Sequence, residues 1–269
     1  MTSMVKGQTR FKSSVLGWVG VSIVIAVVLA LGCGGGGAPG EGEAADDVEA
    51  PVSYPDAVTA DPDHYSVEFE NDAVRVLRIR YGAGESSVMH HHPPNCAVFL
   101  KDQPTTFELP SGEVMEAPPP AESGQVTCTD GEDHLPTNTG DEGLELILVE
   151  MKDGAPAGTD AMPEYPDAVS ADPDHYTTEF ENDTVRLVRV RYAPGETSVM
   201  HHHPANCVIF LEDQPATFEL PSGEVVEVPQ GETGQVTCDD AEAHLPTNNG
   251  DEGLEVMLVE MKGRATAGG

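Results

Sequence analysis

The chain repeats itself, and that repeat limits its fold more than any other feature. Tyr54–His92 lies over Tyr165–His203 without a gap, and 29 of the 39 aligned positions are identical. Most changes are mild, such as Ile79 for Val190 or Val76 for Leu187. The offset is 111 residues and falls to 110 after one deletion, where "EAPPPAESG" becomes "EVPQGETG". Units of about 100 residues are too long for solenoid repeats and long enough to be domains. The 269-residue chain therefore predicts two tandem domains of one fold, 52–152 and 163–262. A linker over 153–162 joins them, and a flexible tail follows at 263–269.

Within each copy the signals are for strands. "FENDAVRVLRIRY" places Asn71-Asp72 at a turn before a run rich in β-branched residues. Its alternation slips, since Val74 and Val76 share one face while Leu77, Ile79 and Tyr81 share the next. A β-bulge near Val76–Leu77 reconciles this and leaves Arg75, Arg78 and Arg80 facing out. "TTFELPSGEVMEAP" reads as a hairpin around Pro110-Ser111-Gly112, and "LELILVEMK" as a final strand. No ten-residue stretch of the repeat carries a 3.6-residue period. Short strands at close spacing, punctuated by Gly and Pro, predict an all-β jelly roll or barrel.

The N-terminus reads as a targeting segment. Lys6, Arg10 and Lys12 precede Val15–Leu31, an uncharged run of 17 residues, and "GCGGGG" follows. Apolar residues, then a small residue and Cys33, resemble a bacterial lipoprotein signal, with Cys33 as the lipid-bearing residue. The order of Ala30 and Leu31 departs from the usual one, and an uncleaved anchor helix is the other reading. Residues 1–32 are thus a signal peptide or membrane anchor, and 33–51 a Gly/acidic flexible tether. Both readings place the body outside the cell membrane, in a periplasm or at a cell surface. Every acidic residue lies beyond the apolar run, where 47 acids face 10 bases for a formal charge of −37. Such a surface repels nucleic acid and anionic headgroups, which excludes both as partners of the body.

"VMHHHPPNCAVFL" at Val88–Leu100 returns as "VMHHHPANCVIFL" at Val199–Leu211. In a strand, residues i and i+2 share a face, so His90 and His92 project together while His91 points away. Two imidazoles so placed can converge on one ion. A third candidate is His134, in "GQVTCTDGEDHLPTN", where a turn returns the chain at a strand entrance. The second copy offers His201, His203 and His244. His64 and His175 sit in "DPDHY", a turn, and are expected to be exposed. Neither a phosphate loop nor G-x-S-x-G is present.

This arrangement resembles the cupin superfamily. "GESSVMHHHPPNCAVFLKD" resembles the first cupin motif: Gly84, five residues, His-x-His, then an apolar strand. "GQVTCTDGEDHLPTN" resembles the second: Gly124, a β-rich segment, His134, and Asn138 four later. Both motifs occur in order in both copies, so the chain looks like a bicupin. The resemblance implies two double-stranded β-helix, or jelly-roll, barrels, each with a divalent metal. The ligands would be His90, His92 and His134 in one barrel and His201, His203 and His244 in the other. One departure matters chemically. Full cupin sites usually carry a Glu three or four residues past the second His, where this chain has Asn95 and Cys96, or Asn206 and Cys207. Three neutral imidazoles still suit zinc and leave an open position, and histidine-rich shells also suit iron, manganese, nickel or copper.

Each copy holds one Cys in each motif. In a disulfide-permissive compartment these read as Cys96–Cys128 and Cys207–Cys238. Free buried thiols and thiolate ligation are the other readings, because unbroken strand parity from His90 and His92 puts Cys96 inside with the histidines. A Cys near the metal also resembles the thiol dioxygenases, but there its Tyr partner comes late in the domain. Here Tyr54, Tyr65 and Tyr81 all precede the histidines. The residues thus support an exported, membrane-tethered protein that binds a metal or a small ligand. A metal-dependent oxygenase or isomerase is the enzymatic alternative, and a metal-free interaction domain the third.

Overall fold

The computed structural model describes residues 52–118, 120–152 and 164–262. The expected signal or anchor, Cys33 and its tether, the linker over 153–162 and the tail lie outside the described residues.

Each half is built from nine strands after one helical turn. In the first half the turn is Ala57–Ala60, N-capped by Asp56. The strands are β1 (Tyr65–Glu70), β2 (Val74–Tyr81), β3 (His90–His92), β4 (Asn95–Lys101), β5 (Thr105–Glu108), β6 (Val114–Glu116), β7 (Val126–Thr129), β8 (Glu132–Asn138) and β9 (Leu144–Met151). The second half repeats them as β10 (Tyr176–Glu181), β11 (Val185–Tyr192), β12 (His201–His203), β13 (Asn206–Glu212), β14 (Ala216–Glu219), β15 (Val225–Val228), β16 (Val236–Asp239), β17 (Glu242–Asn248) and β18 (Leu254–Met261). All pair antiparallel. A five-stranded sheet, β1-β2-β9-β4-β7, and a four-stranded sheet, β3-β8-β5-β6, form the first half; β10-β11-β18-β13-β16 and β12-β17-β14-β15 form the second. From β2 to β9 the chain passes between the two sheets at every step except β5–β6, which is the jelly-roll winding expected from the sequence.

The two five-stranded sheets pack back to back. Val74, Val76, Val98, Ile147 and Val149 share one buried cluster with Val185, Leu187, Ile209, Met257 and Val259. Polar contacts cross this seam in matching pairs. Arg78 Nη2 donates to Gly234 O at 2.5 Å and Arg189 Nη2 to Gly124 O at 2.5 Å. Asn71 and Asn182 donate to the sulfurs of Met261 and Met151. A contact that maps onto itself when the halves are exchanged is isologous, so the chain is built like a two-fold dimer with its subunits joined. Gly124 explains its own identity. Its φ is +79°, and a Cβ there would lie 2.9 Å from Leu211 Cδ1 of the other half.

The back-to-back seam overturns the predicted bulge in "VRVLRIRY". β2 pairs with β9 in unbroken register from Val74↔Met151 to Tyr81↔Leu144. Val74 and Val76 face the other half, while Leu77, Ile79 and Tyr81 face the barrel interior. The alternation never slips; both faces of the strand are buried, so apolar residues occupy both parities. The register shift lies instead on β1, between Val67 and Phe69. Nor do all three arginines face out. Arg80 is exposed, but Arg78 is buried in the seam and Arg75 is held by Glu150.

Cys96 faces the seam, not the histidines. The chain leaves the four-stranded sheet at His92, passes Pro93-Pro94 and enters the five-stranded sheet at Asn95, which resets the parity. Cys96 stands opposite Cys128 in the β4–β7 register and is bonded to it; Cys207 is bonded to Cys238 likewise. Each bond closes a loop of roughly 30 residues, for which the usual contribution is about 2–4 kcal/mol. Cys96→Ala/Cys128→Ala is therefore expected to lower stability by about 2–4 kcal/mol in denaturant unfolding. An unchanged midpoint would show that the bond contributes nothing to stability.

Candidate metal centres

β3 is only three residues long, yet it fixes the site. Strand alternation buries His90 and His92 at 0% and 2% exposure, while His91 turns outward, with Nδ1 2.8 Å from Asp133 Oδ1. β8 runs antiparallel beside it with His134 directly opposite His90. His90, His92 and His134 each place one ring nitrogen within 4.8 Å of the others. β12 and β17 do the same for His201, His203 and His244.

The hydrogen bonds fix which nitrogens face inward. His90 Nδ1 lies 2.7 Å from Val88 O, and a carbonyl can only accept, so Nδ1 carries the proton. His92 Nδ1 lies 2.7 Å from Glu150 Oε1. Burial pushes the Glu150 carboxyl up, but hydrogen bonds from His92 and Arg75 outweigh it and hold Glu150 below the usual carboxylate range. An ionised Glu150 also only accepts, so His92 Nδ1 is protonated too. Burial, reinforced by repulsion from neighbouring imidazoles, lowers His90 to about 4 and His201 to about 3, keeping both rings neutral near pH 7. Burial lowers His92 as well, so the two Nε2 atoms of the first half are both acceptors, and they face each other at 3.0 Å. The same separation holds between His201 and His203.

That geometry fits a shared cation. Nitrogens about 2.1 Å from one ion, with bonds near a right angle, stand about 3.0 Å apart. The outer partners fit as well, since metal-bound histidines commonly donate their other N–H to a carboxylate or carbonyl. The Nδ1 atoms of His134 and His244 are buried without a hydrogen-bond partner. Glu132 Oε1 and Glu242 Oε1 approach them at 3.2 and 3.1 Å, but off hydrogen-bonding geometry.

Several residues absent from the sequence reading complete the site. Glu150 Oε2 accepts from Arg75 Nε at 2.6 Å, and Arg75 Nη1 donates to Asp56 at 3.0 Å, so a chain of charges runs from His92 to the surface. Glu260, Arg186 and Asp167 repeat it behind His203. The Tyr65 hydroxyl lies 3.1 Å from His90 Nε2 and 2.6 Å from the Tyr81 hydroxyl. Tyr176 and Tyr192 repeat this beside His201. Glu150 was detectable as the one acid in phase with Leu144, Leu146 and Leu148. Asn95, where the usual Glu is missing, bonds back to Pro93 O. His64, expected in solvent, is half-buried against Tyr81 and bonded to Asp61.

Jelly-roll halves that each turn three histidines into their interior, twice in one chain, decide the fold. The chain has a bicupin-like fold, two jelly-roll barrels in tandem. No family model and no curated protein matches its sequence. Solved structures resemble it at low identity. A cupin domain from Bordetella pertussis matches 38% of this chain over 99% of its own length, at 21% identity and a TM-score of 0.30. A cupin 2 conserved barrel domain protein from Leptotrichia buccalis covers 74% of this chain and 88% of itself, at 10% identity and a TM-score of 0.47. An oxalate decarboxylase variant from Bacillus subtilis covers 78% of each chain, at 13% identity and a TM-score of 0.46.

Each barrel holds a cavity beside its histidines, about 360 Å³ in the first half and about 160 Å³ in the second. His92 and His134 border the first, and His203 and His244 the second.

The lowered histidines set a pH dependence. His90 and His201 bind protons more weakly folded than unfolded, so the unfolded chain takes up the extra proton below pH 6.5. Metal-free protein is therefore expected to lose stability as pH falls from 6.5 towards 4, with up to about 1.4 kcal/mol per pH unit from each group. Thermal unfolding across that range checks this. A flat profile down to pH 4 would contradict the assigned neutral rings.

Proposed function

We propose that each barrel holds a divalent transition metal through its three histidines, and that the protein binds a small ligand at the remaining position of that metal. The observation that carries this reading is the pair of inward-facing Nε2 atoms at 3.0 Å, repeated in both halves. When bound, such an ion supplies Lewis acidity at an open coordination position. The chain's own residues do the rest. Val88 O and Glu150 hold the His90 and His92 rings in the tautomer that points Nε2 inward. Arg75 keeps Glu150 ionised, and Tyr65 brings a hydroxyl to the edge of the site. The donor set suits zinc, iron, manganese, nickel or copper.

An enzymatic reading, a metal-dependent oxygenase or isomerase, is favoured by one observation. The histidines border a cavity large enough for an organic substrate, with the buried Tyr65–Tyr81 hydroxyl pair next to them. Oxygen uptake or turnover abolished by His92→Ala would select it.

We also propose that the body is exported and tethered to a bacterial membrane, in the periplasm or at the cell surface. The basic start, the apolar run and Cys33 support this, as do two disulfides, which persist outside reducing compartments.

Elemental analysis of the full-length chain, purified without an affinity histidine tag, is expected to find two metal ions per chain. One should remain in His90→Ala/His92→Ala or in His201→Ala/His203→Ala, and none when both pairs are changed. Full metal content in the fourfold variant would refute the assignment of ligands. For the tether, Cys33→Ser is expected to lose fatty-acid labelling. Retention in membranes without any label on the wild type would select the uncleaved helix, and a wild type found only in the soluble fraction would end the tether proposal.

A further inference from the structure

Three carboxylates and no Lys or Arg line each cavity: Asp102, Glu116 and Glu132 in the first half, Asp213, Asp239 and Glu242 in the second. The two sets match at two positions and differ at the third. Glu116 corresponds to Glu227, which does not border the second cavity, and Asp239 stands where the first half has Thr129. The number of acids is thus kept while their placement shifts. Among the described residues every Lys and Arg is already paired with a carboxylate. No described basic side chain is left over to balance these acids, so each cavity attracts cations.

One acid of each set stands against the histidines. Glu132 opens β8 opposite His92 of β3, and cross-strand partners share a face. His134 follows two residues later on the same face, so two of the three histidines flank this carboxylate. The Glu132 side chain is 40% exposed, against 1% for Glu150. Glu150 is held by both His92 and Arg75. Glu132 instead approaches His134 Nδ1 at 3.2 Å, off hydrogen-bonding geometry. That nitrogen is buried without a hydrogen-bond partner, on a residue only 6% exposed. Glu242 repeats the arrangement: it lies opposite His203, is 39% exposed and stands 3.1 Å from the unpartnered Nδ1 of His244. Neither glutamate belongs to the groups whose ligand atoms all lie within 4.8 Å of one another. Each stands beside its centre, reaching solvent on one side and a histidine on the other.

We infer that Glu132 and Glu242 are capture residues: each takes a hydrated divalent cation from solvent and passes it to the three histidines of its barrel, without staying on as a ligand. This rests on the metal reading above. The chemistry of the two donor types suits the division. Neutral imidazoles exert no long-range pull on a cation, whereas a half-exposed carboxylate in an acidic cavity does. Carboxylate oxygen suits hydrated, harder ions, while imidazole suits zinc, copper, iron and nickel, so the ion gains by moving inward.

Stopped-flow uptake of cobalt(II), followed by its visible bands, tests this in the full-length chain. His201→Ala/His203→Ala isolates the first site and His90→Ala/His92→Ala the second. Glu132→Gln in the first background, and Glu242→Gln in the second, keep the shape and an acceptor oxygen but remove the charge. Each is expected to slow uptake about 10-fold at low salt. Release to excess chelator should slow by a similar factor, leaving the affinity within about threefold. Asp130→Asn removes the same charge two residues from Glu132, at an exposed position outside the cavity, and should change uptake by less than about twofold. Saturation of every variant at high cobalt shows that the site is folded and the histidines still bind. Unchanged uptake in Glu132→Gln, or equal slowing by Asp130→Asn, would overturn the capture role and leave the metal reading intact. Unchanged or faster release would place Glu132 in the bound state instead, and would overturn it too. Absence of cobalt binding in both parent variants would overturn the metal reading as well.

Discussion

Two imidazole nitrogens that both present lone pairs, 3.0 Å apart and buried, repel each other unless a cation lies between them. The protein enforces that arrangement from outside the site. Val88 O and Glu150 accept the Nδ1 protons, and Arg75 and Asp56 anchor Glu150 in turn. The rings cannot turn to relieve the contact without breaking a buried hydrogen bond to a carbonyl or a charge, at a cost of about 1–3 kcal/mol. The burial that makes the pair unfavourable without an ion also keeps the rings unprotonated and ready to bind one.

The scaffold behind this pair depends on burying both faces of its larger sheet. β2, β4 and β9 turn one face to the histidine cavity and the other to the second half. The same strands therefore shape the ligand space and hold the barrels together. The disulfides sit on the seam side of β4 and β13, away from the imidazoles, so the cysteine chemistry stiffens the joint between halves and leaves the metal chemistry to nitrogen. Duplication supplies each barrel with its covering partner within one chain, while the cavity linings are left free to diverge.

Much of this was legible in the residues. The His-x-His spacing gave the inward pair, because alternation in a strand is a local rule. His134 could be named because its segment resembles the second cupin motif, although its partner across β3 is set by sheet pairing. What the sequence hid was long-range. The phase of "VRVLRIRY" looked broken because nothing in it announces that a second barrel covers the outer face. Arg75 looked solvent-facing because its partner, Glu150, lies 75 residues away. Cys96 was placed inside by a parity that the Pro93-Pro94 crossing between sheets resets. Tyr65 was discounted for its position in the chain, yet β1 lies beside β2 at the rim of the histidine site and delivers its hydroxyl there.

X-ray absorption at the metal edge of the zinc-loaded, full-length chain tests the central claim most directly. The account requires about three imidazole nitrogens at about 2.0–2.1 Å from each ion, with the outer-shell scattering of imidazole rings. A shell of oxygen alone, or one containing sulfur, would contradict it.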